Sequence, residues 1–160
     1  MLTVPWTPLA DVAPDREYVV MATRFRLSRR RHIPAFVRSA QAAWPAIARS
    51  AGLLGYSLDA DLTRRTFCTL SAWRDGDAIE AFVRSEPHAL VVAQTRPWLA
   101  GSTFVTWTVR GTQLPVDWKQ VRERFRAAPD QAGLPRRTEV TEARGVGPDA
   151  RARGGAAALR

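Results

Sequence analysis

The sequence predicts an α+β fold over residues 17–110, a four-stranded antiparallel sheet with its helices on one face. Three observations predict it. Hydrophobic periodicity runs in the order strand, helix, strand, strand, helix, strand, with period two giving way to helical spacing and back. The second and third strands are joined by a short turn holding Asp59 and Asp61, which makes them a hairpin. A sheet roofed by helices on one face has another face, and no remaining segment is expected to cover it. The chain is therefore expected to pair with a second copy as a homodimer, with any ligand pocket between the sheet and its own helices.

Each element has its own reason. Residues 1–16 hold Pro5, Pro8 and Pro14 and read as an extended lead-in, since each proline biases its predecessor away from the helical region. Over 18–27, Val19, Met21, Thr23, Phe25 and Leu27 share one side, and Tyr18, Val20, Ala22, Arg24 and Arg26 the other. Both sides begin apolar, as in a strand covered on each face. A helix follows over 33–51, with Pro34 in its first turn; Ile33, Phe36, Val37, Ala40, Trp44 and Ile47 fall on one face. Pro45 should kink it and Gly52 should stop it. Strands are predicted over 53–59 and 65–73. Asp77 with Glu80 fits a capping box opening the next helix, which Ser85-Glu86-Pro87 breaks and a second segment continues to about Thr95. The last strand spans 101–110, with Thr103, Val105, Trp107 and Val109 on one face. A further helix is predicted at about 115–127, offering Val116, Val121 and Phe125 for docking. Residues 128–160 are poor in large apolar side chains and are expected to form a mostly disordered Ala/Gly/Arg tail.

The 160 residues, 46% of them apolar, suit one globular domain with extensions. The N-terminus lacks the basic and apolar regions of a secretory signal, and no apolar run reaches the roughly 18 residues of a membrane span. A cytoplasmic protein with no membrane partner is expected. The net charge is +9, which raises the question of nucleic acid. The charge is spread along the chain and is almost all arginine, and aromatic residues do not interleave with a basic stripe, so no nucleic-acid partner is expected. One cysteine, Cys68, and two histidines without paired spacing predict no metal site. No glycine-rich phosphate loop follows a strand.

Residues 67–88 run Phe-Cys-Thr-Leu-Ser-Ala-Trp-Arg-Asp-Gly-Asp-Ala-Ile-Glu-Ala-Phe-Val-Arg-Ser-Glu-Pro-His. A strand ending in Ser-x-Trp, an acidic turn, an Ala-x-x-x-Phe helix and then Ser-x-Pro-His resembles the antibiotic-biosynthesis-monooxygenase-like family of the dimeric α+β barrel superfamily. The resemblance covers about residues 17–110. It implies a ferredoxin-like protomer and a homodimeric α+β barrel in which two sheets pack face to face. It further implies, for some members, cofactor-independent oxygenation of bulky aromatic or polyketide-like molecules; haem-dependent enzymes and members without known activity share the superfamily.

Against that background the catalytic candidates are His88, Trp73 and Arg96. His88 has an intrinsic pKa near neutrality, suited to taking a phenolic proton, and could alternatively ligate haem iron. Trp73 stands where the resembled motif has a pocket-lining tryptophan; as a core anchor it would need no such role. Arg96 can anchor an enolate oxygen by a charge-assisted hydrogen bond or can stay solvated. Trp44, Phe82 and Trp107 are the candidate substrate-binding walls. The haem-degrading branch is disfavoured, because strand one has no asparagine and residues 89–92 no histidine. The expected function is a cofactor-independent monooxygenase for a hydrophobic small molecule, with a non-catalytic binding or structural homodimer and a haem-binding oxygenase using His88 as the alternatives. Cys68 reads as a small buried hydrophobe, and Arg24 as a charge at the dimer interface.

Overall fold

The computed structural model describes residues 2–128. Five strands, β1 (Leu2–Pro8), β2 (Glu17–Leu27), β3 (Leu53–Asp61), β4 (Thr66–Trp73) and β5 (Leu99–Arg110), form one sheet in the order β1-β3-β4-β2-β5. Every neighbouring pair is antiparallel. The helices are α1 (Ile33–Ile47), α2 (Gly76–Arg84), α3 (Glu86–Thr95) and α4 (Trp118–Ala127). From β2 to β5 this is the predicted ferredoxin-like succession. Among the described residues no helix is long and apolar enough to cross a membrane. The tail expected over 128–160 lies, beyond Ala128, outside the described residues.

Local chemistry explains the boundaries. Helix α1 continues through Pro45 but ends at Ile47, and Gly52 takes a φ of 83° that a side chain would resist. The cap of α2 is Asp75, not Asp77: the Asp75 carboxylate accepts from the Ala78 amide at 2.9 Å, and Asp77 lies inside the first turn. Ser85 is extended, which separates α2 from α3, and Pro87 sits in the first turn of α3.

Two expectations need correction. The first concerns the lead-in, in which the seven residues Leu2–Pro8 form a paired strand. Strand β1 lies against β3 at the sheet edge, with a register shift between Val4 and Thr7 that accommodates Pro5 where no ladder amide is needed. Side chains fasten it as well: the Ser57 hydroxyl donates to the Val4 carbonyl at 2.7 Å, and the Thr3 hydroxyl donates to Asp59 at 2.9 Å. Trp6 lies so close over Gly55 that a Cβ there would stand 2.5 Å from the indole.

The second correction concerns the supposedly bare face. Helix α4 lies on it. Val116, Val121 and Phe125 are buried with Tyr18, Val20, Ala22, Leu70, Ala72 and Val109, and Trp6 and Trp118 pack at the margin. The Trp118 indole donates to the Ser57 hydroxyl at 2.9 Å, and Arg122 meets Asp59 at 3.1 Å. Ser57 and Asp59 thus join both added elements, β1 and α4, to the same strand. The chain covers this face with its own helix, so an uncovered sheet face gives no reason for a second copy. Arg24, expected at an interface, donates to the Thr103 hydroxyl at 2.9 Å and lies 5.1 Å from the Phe125 ring centroid within its own chain.

Candidate active site

The other face of the sheet carries α1, α2 and α3, and here the layers do not close. A cavity of about 1530 Å³ lies between them. Strand register explains the gap. At one end, Phe25 pairs with Phe67 across β2 and β4, and Phe104 and Phe36 pack on them at ring separations of 4.8–6.2 Å. At the other end Trp73 meets Phe82 at 5.0 Å. Between these aromatic blocks the same face carries Thr23 opposite Thr69 and Met21 opposite Ser71. Large rings flank this stretch, and the short side chains of Thr23, Thr69 and Ser71 leave space above it.

The cavity brings together five of the six residues singled out from sequence: His88, Trp73, Arg96, Trp44 and Phe82 all line it. His88 is half-buried on α3, its ring 4.7 Å from that of Phe82, with Nδ1 at 3.0 Å from the Val83 carbonyl. A carbonyl only accepts, so Nδ1 carries the hydrogen and the neutral ring keeps its lone pair on Nε2. Burial pushes the His88 pKa below its ordinary value, opposed by the Val83 hydrogen bond. Such a ring is neutral and basic at physiological pH.

Trp73 is 1% exposed and forms part of the floor. Its indole N–H is already engaged, donating to Ser71 Oγ at 2.9 Å, and Ser71 donates to the Met21 carbonyl at 3.2 Å. The residue offers an aromatic surface and no free donor. Trp44 on α1 stands edge-on to Tyr56 at 4.3 Å. Arg96 is exposed, in the 3₁₀ turn that ends α3, and brings the charge to the cavity rim.

Trp107 does not belong with these five. Alternation along β5 places it on the α4 side, where Arg124 lies 4.4 Å from its ring centroid, so it is no wall of this cavity. Cys68 likewise points to the α4 side, and burial, followed by the nearby Asp59 charge, pushes its thiol up to about 12. It is not a nucleophile at neutral pH. No cluster of three or more His, Cys, Asp or Glu that could hold a metal occurs among the described residues.

Sequence reasoning passed over one polar feature of the floor. The hydroxyls of Thr23 and Thr69 are 2.6 Å apart. One donates to the other, which leaves the second hydroxyl hydrogen available to a guest. The signal was present, since both threonines fall on helix-facing positions, but only the register makes them neighbours.

No protein-family description matches this sequence, and no curated protein matches it. Solved structures do match in fold. SnoaB from Streptomyces nogalater, described as a cofactor-independent oxygenase, is 18% identical with a TM-score of 0.51, over 61% of this chain and 97% of that one. An antibiotic biosynthesis monooxygenase is 14% identical with a TM-score of 0.52, over 56% of this chain and 95% of that one. A dimeric ferredoxin-like protein of unknown function from Thermobifida fusca is 17% identical with a TM-score of 0.51, over 62% and 98%. At these identities the likeness shows the fold alone, a ferredoxin-like α+β unit. Each of these proteins is spanned almost end to end by some three fifths of this chain, so this chain carries segments they lack.

Proposed function

We propose that the chain binds a bulky aromatic, polyketide-like molecule in the cavity beneath α1–α3 and oxygenates it without a bound cofactor. The observation that carries this reading is a neutral, partly buried His88 on the wall of a large aromatic cavity. Its volume exceeds the 300–1,000 Å³ typical of small-molecule pockets, which suits a fused-ring guest. The cofactor-independent oxygenase among the structural neighbours lends support at the level of fold.

His88 Nε2 takes a proton from the substrate, and the resulting anion is delocalised over its rings. Arg96 at the rim and the Thr23–Thr69 hydroxyls on the floor donate hydrogen bonds to its oxygens. The electron-rich anion reduces dioxygen itself. Overall, a ring CH₂ and O₂ become a ring C=O and water: the carbon loses four electrons, and the two oxygen atoms gain them. Trp73, Phe82 and Trp44 hold the rings flat and keep water away from the reacting carbon.

Oxygen uptake with an anthrone-like tricyclic substrate and chelator-treated protein tests the reading. Uptake should fall by about 10²–10⁴-fold in His88→Gln, as for a lost general base. Saturable binding with no oxygen uptake would contradict catalysis and leave a binding protein. A Soret band on haem addition that His88→Ala abolishes would make His88 an iron ligand instead.

A further inference from the structure

The α4 side of the sheet holds a second hollow, of about 390 Å³, where the apolar patch ends. Register builds its floor. Asp59, Cys68, Arg24 and Thr103 stand side by side across β3, β4, β2 and β5, and Asp61, Thr66, Arg26 and Gly101 form the next row. Gly101 adds no side chain, which leaves the floor open. The end of α4 holds Arg122, Phe125 and Arg126 over these rows, and Arg64 comes in from the turn between β3 and β4.

Five arginines line this hollow against two aspartates, an excess of three positive charges. Arg122 meets Asp59 at 3.1 Å, and Arg64 faces Asp61 at 3.7 Å. Arg24 is oriented by Thr103 and Phe125. Arg26 and Arg126 are exposed and make no ion pair among the described residues. Arg126 complements the partial negative charge at the α4 C-terminus. Arg26, two residues from Arg24 on the same side of β2, adds a further exposed positive charge to the hollow.

We propose that this hollow binds a doubly charged phosphate-type oxyanion, a phosphate monoester or pyrophosphate. Arg26 and Arg126 supply the direct contacts, and Arg24 and Arg122 add to the positive field. Guanidinium forks match phosphate oxygens in pairs. The volume accommodates a compact phosphorylated molecule and not only a bare ion. Because the arginines come from β2 and α4, the bound anion also ties the helix to the sheet.

Calorimetric titration with sodium pyrophosphate, at ionic strength held constant with sodium chloride, tests the site. Saturable binding is expected, weakened about tenfold or more in Arg26→Ala/Arg126→Ala, as when hydrogen bonds to a charged group are lost. A control pair on the far layer, Arg38→Ala/Arg49→Ala, should bind as the unaltered chain does. Amide exchange in α4 should slow on adding pyrophosphate. Absence of saturable binding, or equal weakening by the control pair, would overturn the proposal. So would tighter binding of a short oligonucleotide that both pairs weaken alike, which would indicate a diffuse basic surface. All four arginines are exposed, so the variants should fold, and circular dichroism verifies that they do.

Discussion

The two faces of this sheet are made by the same strands; one is filled, while the other is packed at its α2 end by Trp73, Ile79 and Phe82 and hollow beyond it. On the α4 side the middle of the sheet carries small or branched side chains, with Tyr18 and Trp107 beside them: Val20, Ala22, Leu70, Ala72 and Val109 are all at most 6% exposed. A single amphipathic helix lies close on so even a surface and excludes water, and each fully buried Val, Leu or Phe contributes about 1.5–3 kcal/mol. On the other side, rings stand at both ends, and the threonines between them cannot reach across. Packing on the first side serves stability, and incomplete packing on the second makes room for a guest. One alternation pattern, read on its two sides, thus separates folding from function.

The largest effect should come from stripping the filled face. Removing residues 114–160 exposes Tyr18, Val20, Leu70 and Val109, and the shortened chain should self-associate in sedimentation experiments. A well-behaved monomer would mean that α4 is not what covers this face. Next in size are matched truncations. Phe125→Ala should cost about 3–5 kcal/mol in urea denaturation, and Phe104→Ala on the hollow face only about 1–2 kcal/mol. Equal losses would erase the contrast between the faces.

A smaller effect follows from His88. Its folded-state pKa lies below the ordinary value, so between the two the unfolded chain binds the proton and the folded chain does not. The contribution of His88 to stability is full above about pH 6.5, and it is lost as pH falls from there through the lowered value. His88→Gln should flatten that part of the stability profile, and catalysis should keep its neutral-pH plateau to lower pH than an ordinary histidine allows. The smallest expected effect is at Cys68. With its thiol pushed up to about 12, it should resist alkylation at mildly alkaline pH until the chain is denatured.

Much of this architecture could be read in the sequence, because alternation and helical spacing are local. The two sides of β2, the break between α2 and α3, and the C-terminal end of β5 all follow from neighbouring residues. So does the cavity's place under the helices, along with His88, Trp73, Trp44, Phe82 and Arg96 on its lining. What could not be read depends on distant partners. Strand β1 is hidden by Pro5 and Pro8, and it pairs with the distant β3, where Ser57 and Asp59 fasten it further. Val121 and Phe125 read as a dockable stripe, but nothing local says that they dock on the chain's own sheet. Trp107 and Trp73 are alike in sequence, and only the sense of each strand's alternation sends them to opposite sides.

The most direct test of the filled and hollow faces is a methyl-resolved NMR titration with an anthrone-like tricyclic compound. Shifts should be confined to the hollow side, at residues such as Met21, Val37 and Val91, while Val20, Val109 and Val121 stay unmoved. Shifts that appear chiefly at Val20, Val109 and Val121, or none at saturating ligand, would contradict the account.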